Sequence, residues 1–226
     1  MSLSTRSRFA VLLFAVAFLL TSCLTSKKLD KYVASQYNNE LPKPKKTKSD
    51  IVVIPAMATD NNAISNSAHQ TNNFLPLLLY WQYKHRQNCN LNPAIAITQF
   101  SNAINTQATK GLNQKLNGQK LELTVEQAPS AFAIVSNEHT IWLVYTFSWA
   151  KVFIEPDFKD LVVSYRVLQG EQAVKTGKIT VKNTDKNRGI RFFQSWKSAT
   201  TEYLNEYNTN LASMSKSFVT QLTEQL

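Results

Sequence analysis

The stretch TIWLVYTFSWAKVFI (residues 140–154) is the longest candidate for a β-strand in the chain. Its odd-numbered positions, from Ile141 to Trp149, carry bulky apolar residues, whereas its even-numbered positions include the smaller Thr146 and Ser148. Successive side chains of a strand point to opposite faces, so this alternation predicts one apolar face and one face with smaller, more polar side chains. We therefore expect a single long strand whose apolar face is buried by a second layer.

Three other segments alternate or are rich in β-branched residues. KLELTVEQ (residues 120–127) places Leu and Val on one face and Glu and Thr on the other. Residues 160–168 and 173–183 are joined by a tight turn at Gly170, which predicts an antiparallel pair. DIVVIPA (residues 50–56) is β-branched and is interrupted by Pro55, which predicts a short buried strand.

The segment between the first strand and the first helix is harder to interpret. Residues 57–73 are polar and Asn-rich without a sustained period, so we expect a long loop there. FLPLLLYWQYK (residues 74–84) is an apolar run that predicts one further strand, with Pro76 near an edge or an end.

Two helices are predicted from apolar residues that recur every three or four positions. The first begins at Asn92, which can cap, and Pro93, which suits the first helical position. It should run for about 25 residues to Asn117-Gly118, where Gly allows a left-handed exit. The second, of about 30 residues, covers residues 196–222, with an apolar stripe along its length.

These elements predict an α+β fold with two layers, in which two long helices pack on one face of an antiparallel or mixed sheet. The opposite face of the sheet should meet water or a polar partner, because it carries charged and hydroxyl side chains. Those side chains are Glu122, Thr124, Glu126, Ser164, Arg166, Lys178, Thr180 and Lys182.

The N-terminus has the pattern of an export signal. Arg6 and Arg8 precede an apolar run of twelve residues, 9–20, which is too short to span a bilayer comfortably. The exit LTSC, which ends at Cys23, resembles the lipobox of bacterial lipoproteins. That resemblance implies removal of residues 1–22 and attachment of a diacylglycerol to Cys23. An ordinary signal peptide with a chance cysteine is the alternative.

The charge of the chain is concentrated behind Cys23. The net charge is +10, and residues 27–48 contain seven lysines against Asp30 and Glu40. We expect residues 23–48 to be the lipidated cysteine and an extended basic linker, and residues 49–226 to be a single domain. The lysines either bind anionic headgroups or serve as a soluble spacer. We expect no nucleic-acid partner, because an exported chain rarely meets one and the domain has no dense basic stripe.

We find no catalytic motif, and we expect no catalytic residue, no metal and no cofactor. The chain has no glycine-rich phosphate loop, no G-x-S-x-G and no H-E-x-x-H. His85 and Cys89 are four residues apart, which would suit a Cys–His nucleophile only on a helix. The acidic corner of Glu155, Asp157 and Asp160 lacks the ligand spacing of a calcium loop and fits a solvated turn.

Two further side chains have an expected role. If Cys23 is acylated, Cys89 has no partner within its own chain, and we expect it to be a small buried residue. Trp142 lies on the more solvent-exposed face of its predicted strand, where a ring can stack on a sugar or contact a partner. Trp142 is therefore the predicted contact residue for a partner or ligand.

The lipobox and the order of elements resemble the periplasmic accessory lipoproteins of outer-membrane transport systems, which serve lipopolysaccharide transport or ABC-type lipid transport. The strings NCNLNP and LNGQKLEL are similar to uncharacterised lipoproteins of Bacteroidetes-type bacteria. The resemblance implies a non-catalytic binding or accessory module for a protein or lipid partner. Such a protein is held by its lipid in the outer membrane, on the periplasmic side or at the cell surface. An envelope enzyme acting on glycan or lipid, or a surface adhesin, is the alternative.

Overall fold

The computed structural model describes residues 24–45, 50–57, 62–77, 79–107 and 111–226. The predicted signal segment and Cys23 lie outside these residues. The helices are α1 Ser26–Gln36, α2 Pro93–Gln107, α3 Gly111–Leu116 and α4 Trp196–Gln225. The strands are β1 Ile51–Pro55, β2 Ser65–Leu77, β3 Tyr80–Leu91, β4 Lys120–Gln127, β5 Ala131–Trp142, β6 Thr146–Pro156, β7 Leu161–Gln169, β8 Gln172–Val181 and β9 Arg188–Gly189. This composition confirms the α+β class.

The strands form two sheets. The first sheet has the order β1-β4-β7-β8 and is mixed, because β1 runs parallel to β4 and the other pairs are antiparallel. The second sheet has the order β2-β3-β5-β6-β9 and is antiparallel. The prediction of one sheet is therefore wrong, although the predicted mixture of parallel and antiparallel strands is present.

The predicted single strand at residues 140–154 is a hairpin. β5 ends at Trp142, β6 begins at Thr146, and these two residues pair directly. The three-residue turn preserves the alternation, because Ile141 on one strand pairs with Phe147 on the other and both point to the same face. The period of two continues through the reversal of the chain, so the pattern alone did not locate the turn.

The predicted loop at residues 57–73 is also wrong in its second half, because β2 begins at Ser65. β2 pairs with β3 from Ser65 opposite Leu91 to Phe74 opposite Gln82. β2 is the edge of its sheet, and its ladder with β3 forms despite polar side chains on both faces. Residues 74–84, predicted as one strand, belong to both strands of this hairpin, whose reversal lies between Leu77 and Tyr80.

The prediction of an extended linker is wrong for residues 26–36, which form α1. Leu29 and Val33, four residues apart, are fully buried in the core. The Asp30 carboxylate accepts hydrogen bonds from Ser65 Oγ (2.8 Å), Ser67 Oγ (2.6 Å) and the Ser67 backbone N–H (3.2 Å). Leu29 and Val33 are the buried residues of this helix, so the mean composition of the segment conceals the helix.

Both long helical predictions are confirmed at their ends. The Asn92 side chain accepts a hydrogen bond from the Ala94 N–H (2.9 Å), and Asn117 and Gly118 adopt positive φ angles of 47° and 81°. The region between them is helical in its two described segments, α2 and α3. α4 buries a continuous stripe, as predicted.

A single core contains side chains from both sheets and from all four helices. α4 packs against α2 and β8, and the rings of Phe100 and Phe218 meet edge to face at 5.3 Å. Tyr207 donates a hydrogen bond to the Pro129 carbonyl (2.8 Å), and burial raises the pKa of its hydroxyl well above the ordinary value. β1 contributes Ile51 to this core but exposes Val52 and Ile54, so it is an edge strand rather than the buried strand predicted.

The outer face of the first sheet is polar, as predicted. Lys178 and Glu126 form an ion pair at 2.5 Å, and Ser164 also donates to Glu126. These hydrogen bonds lower the pKa of the Glu126 carboxyl. Glu122 similarly pairs with Lys120 at 2.9 Å. The charges of this face are therefore largely satisfied within the sheet.

Leu29→Ala tests whether α1 belongs to the folded domain. Removing this fully buried side chain should lower the free energy of unfolding by about 2–5 kcal/mol, measured by urea denaturation. Lys31→Ala is the matched control on the exposed side of α1 and should change stability by less than about 0.5 kcal/mol. Equal, small effects of the two substitutions would contradict the packing of α1.

Phe218→Ala tests the packing of α4 on α2. Loss of the ring that contacts Phe100 should cost about 3–5 kcal/mol in the same measurement. The neighbouring exposed Ser217→Ala should leave the unfolding midpoint almost unchanged. A midpoint for Phe218→Ala that matches the control would mean that this helix is not part of the core.

Candidate functional site

Two hairpins project together from one end of the second sheet. β3 and β5 are neighbours, and Tyr80 pairs with Ile141, so the β2–β3 reversal lies beside the β5–β6 turn. The Trp142 N–H donates to the Leu79 carbonyl (2.7 Å), which joins the two turns. We call residues 79–81 and 142–149 the hairpin end.

The hairpin end is apolar and exposed. It contains seven of the thirteen large hydrophobic side chains that are exposed within the described residues. They are Leu79, Trp142, Leu143, Val144, Tyr145, Phe147 and Trp149. Scattered exposed hydrophobic residues are ordinary, whereas their concentration in one part of a fold makes that part a candidate binding surface. The expectation that a second layer buries the apolar face of residues 140–154 is wrong for Leu143 and Phe147, because they lie at the turn beyond the core.

Aromatic contacts between strands hold the rings of the hairpin end in place. Trp81 and Trp142 have ring centroids 5.4 Å apart, and Trp149 stacks on His139 at 5.2 Å. Tyr80 Oη and His139 Nδ1 share a hydrogen bond of 2.6 Å. Trp142, the predicted contact residue, lies with Trp81 on one face of the hairpins, whereas Trp149 and His139 lie on the opposite face. Trp142 remains 43% exposed.

A second apolar feature lies on the loop between β9 and α4. Phe192 and Phe193 are 92% and 94% exposed, and their rings meet edge to face at 4.8 Å. β9 is antiparallel to β6, with Gly189 opposite Phe153, so the chain after β9 runs toward the hairpin end. The sequence pattern does not predict this pair; its one signal is two adjacent phenylalanines in an otherwise polar segment.

A cleft with several polar side chains lies at the other end of the second sheet, where β3 and β6 end and β5 begins. It encloses about 480 Å³ beside Arg86 and Glu155. Arg86 Nη1 donates to Glu155 Oε2 (2.8 Å), and this hydrogen bond lowers the pKa of the Glu155 carboxyl. Arg86 Nε donates to Asn88 Oδ1 (2.6 Å). The charged groups of the cleft therefore satisfy one another.

The acidic corner predicted as a solvated turn has structural hydrogen bonds. Asp157 accepts from the Ser130 backbone N–H (3.1 Å), and Asp160 accepts from the Asn183 backbone N–H (2.9 Å). These bonds tie the β6–β7 connection to the neighbouring segments. Within the part of the chain that the structure describes, no three His, Cys, Asp or Glu side chains are grouped closely enough to hold a metal ion.

His85 and Cys89 are not brought together. Both lie on β3, where four residues span about 13 Å. His85 Nδ1 lies 3.3 Å from Thr71 Oγ1, and its Nε2 lies 4.0 Å from Glu138. Cys89 is fully buried, as predicted, and burial raises the pKa of its thiol to about 11. A buried thiol with a raised pKa is a poor nucleophile at neutral pH.

The burial of Cys89 predicts a slow reaction with thiol reagents. In the Cys23→Ala chain Cys89 is the only thiol, and at pH 8 only about a thousandth of it is ionised when its pKa is near 11. We expect almost no labelling of the native chain and one equivalent after denaturation. Rapid stoichiometric labelling of the native chain would contradict the buried position.

Comparison of the chain with protein-family models, with curated proteins and with solved structures finds no significant match in any of the three. Among the described helices, none combines the length and the apolarity needed to cross a bilayer.

Proposed function

We propose that the protein is a lipid-anchored component of the bacterial cell envelope that acts as a non-catalytic binding module for a protein or lipid partner. The anchor is a diacylglycerol on Cys23, in the outer membrane. The observation that carries the proposal is the hairpin end, where aromatic and aliphatic side chains remain exposed beyond the core.

The hairpin end suits binding better than the polar cleft does. The cleft is lined by Arg86 and Glu155, which already form an ion pair. The hairpin end has rings whose positions are fixed by cross-strand contacts and whose outer faces have no described partner. Rigid aromatic side chains give large contact area at low cost in conformational entropy, which is the usual composition of a binding surface.

Two measurements on the full chain, expressed in a bacterial host with lipoprotein processing, test the proposal. Mass spectrometry of the mature N-terminal peptide should show a diacylglyceryl group on Cys23, and Cys23→Ala should remove the chain from the outer-membrane fraction. An unmodified N-terminus would overturn the anchor.

Photo-crosslinking in cells tests the binding surface. A photoreactive amino acid in place of Tyr145 should crosslink to a partner, whereas the same group in place of Lys182 should not. Lys182 is a suitable control because its side chain is 85% exposed and it directly follows β8 of the first sheet. Equal crosslinking from the two positions would overturn the assignment of the hairpin end.

A further inference from the structure

We propose that the partner of the hairpin end is a second copy of the same chain, which adds its β6 antiparallel to β6 of the first copy. The inference rests on the proposed function, because it takes the hairpin end as the binding surface and names its occupant. It follows from the free edge of β6, from the two apolar features beside that edge and from the distribution of charge.

β6 has a free backbone edge over residues 146–151. β6 pairs with β5 along its whole length, whereas its pairing with β9 on the other side covers only Phe153 and Ile154. The segment after β9 adds one hydrogen bond, from the Ile190 N–H to the Val152 carbonyl (2.9 Å). Among the described residues, no strand pairs with residues 146–151 on this side.

The free edge of β6 is suited to pairing with another strand. The backbone N–H and C=O groups of alternate residues face the same side of a strand, so those of Ser148 and Ala150 face the edge that Val152 uses. Natural edge strands are usually protected by charged side chains, by proline or by a bulge. Residues 146–150 (TFSWA) contain no charge and no proline, and β6 pairs with β5 without a register shift. This edge therefore lacks the features that keep another strand away.

Two exposed apolar features lie near the two ends of this edge. The turn of residues 143–145 precedes the edge, and Phe192 and Phe193 follow Ile190, where the contact with β6 ends. In an antiparallel pair of identical strands, the start of each strand meets the end of the other. The turn of one copy then meets the phenylalanines of the other copy. A second copy thus covers both features with one contact and its symmetry mate.

The side chains of β6 select the register of the pairing. When the pairing is centred on Ser148, Phe147 of each copy lies directly opposite Trp149 of the other copy. Both residues lie on one face of β6 and are 58% and 49% exposed. Aromatic side chains that are directly opposite each other stabilise paired strands. A centre at Trp149 would instead place Phe147 opposite Lys151, so we place the two-fold axis at Ser148.

The distribution of charge permits two copies to meet at this edge. The chain has a net charge of +10, so two copies repel each other unless they meet through an uncharged surface. Residues 140–150 contain no Lys, Arg, Asp or Glu. Lys151 is the first charged residue after them, and its two copies would be about 20 Å apart along the paired strands. Because that separation exceeds the screening length of about 8 Å at physiological ionic strength, the pairing brings no like charges together.

The exposed aromatic area is large enough for a stable dimer. Five aromatic side chains along this edge are exposed by 49% to 94%. They are Tyr145, Phe147, Trp149, Phe192 and Phe193. Since a whole aromatic side chain has about 150–250 Å² of surface, these five offer roughly 700 Å² in each copy. Two copies would then cover about 1,400 Å², which lies within the roughly 1,200–2,000 Å² of a specific protein–protein interface.

Disulfide formation between two copies tests the pairing in the bacterial envelope, where thiols oxidise. The test uses the full chain, in which Cys89 is buried and Cys23 carries the proposed acyl group. Ser148→Cys should give a species of twice the mass of one chain on a non-reducing gel. The reason is that directly opposite residues of antiparallel strands have Cα atoms about 5.5 Å apart, a distance that a disulfide spans. The unsubstituted chain should give the mass of one chain.

Ala150→Cys is the matched control for the disulfide. Ala150 is exposed on the same strand and face as Ser148, but its two copies would be about 13 Å apart along the strands, too far for a disulfide. Substitution of both Thr146 and Ala150 by Cys should restore the link, because Thr146 of each copy lies opposite Ala150 of the other. Equal links from Ser148→Cys and Ala150→Cys would overturn the proposal. So would the absence of a link from Ser148→Cys protein in which Cys89 still resists thiol reagents.

A second measurement needs no new cysteine. The photoreactive group at position 145 should give an adduct of two copies of this chain. Ser148→Pro should abolish that adduct and leave the chain folded, with Cys89 still protected. The Ser148 N–H faces the free edge rather than β5, and proline is tolerated at such a position. An undiminished adduct of two copies in Ser148→Pro would overturn the pairing through β6.

The identity of the adduct at position 145 separates this proposal from the proposed function. An adduct with a different protein or with lipid would overturn the second copy and leave the proposed function intact. No adduct, or the same yield as from position 182, would overturn the assignment of the hairpin end and with it the proposed function.

Discussion

The structure depends on the ladder between β3 and β5. This ladder runs from Tyr80 opposite Ile141 to Asn90 opposite Ala131 and joins two long hairpins into one sheet. Its inner half lies over the core, where Cys89 pairs with Phe132 and both are buried. Its outer half extends beyond the helices, where backbone hydrogen bonds and contacts between side chains are the remaining sources of order. One pairing thus anchors the fold at one end and presents the exposed surface at the other.

α1 couples the N-terminal segment to this sheet. The burial of Leu29 and Val33 fixes the helix to the core, and the Asp30 carboxylate fixes its position along β2 through Ser65 and Ser67. Residues 26–36 therefore belong to the folded domain and are not an extended tether.

Elements whose apolar residues recur with a regular period, or whose ends carry a capping signal, were predictable from the sequence. They include β4, α4 and the ends of the α2–α3 region. β2 was not, because an edge strand held by backbone pairing needs no apolar side chains. α1 was not, because two buried residues among charges give a weak pattern. The candidate site was predictable only as Trp142. The alternation of apolar residues continues across the turn at Leu143, so the sequence did not reveal the turn. Because no turn was predicted there, the neighbouring side chains were expected in the core.

The hairpin end contains more apolar side chains than its folding requires. The cross-strand pairs Trp81–Trp142 and His139–Trp149 each stabilise the hairpins by about 0.2–1 kcal/mol, so those rings have a structural reason to be present. The residues of the turn itself have no such reason, because Val144 and Tyr145 point into solvent. A turn between strands is ordinarily built from Gly, Asn or Asp, which favour the required backbone and are compatible with water. The sequence Leu-Val-Tyr at this position is therefore explained neither by the geometry of the turn nor by packing against the described residues.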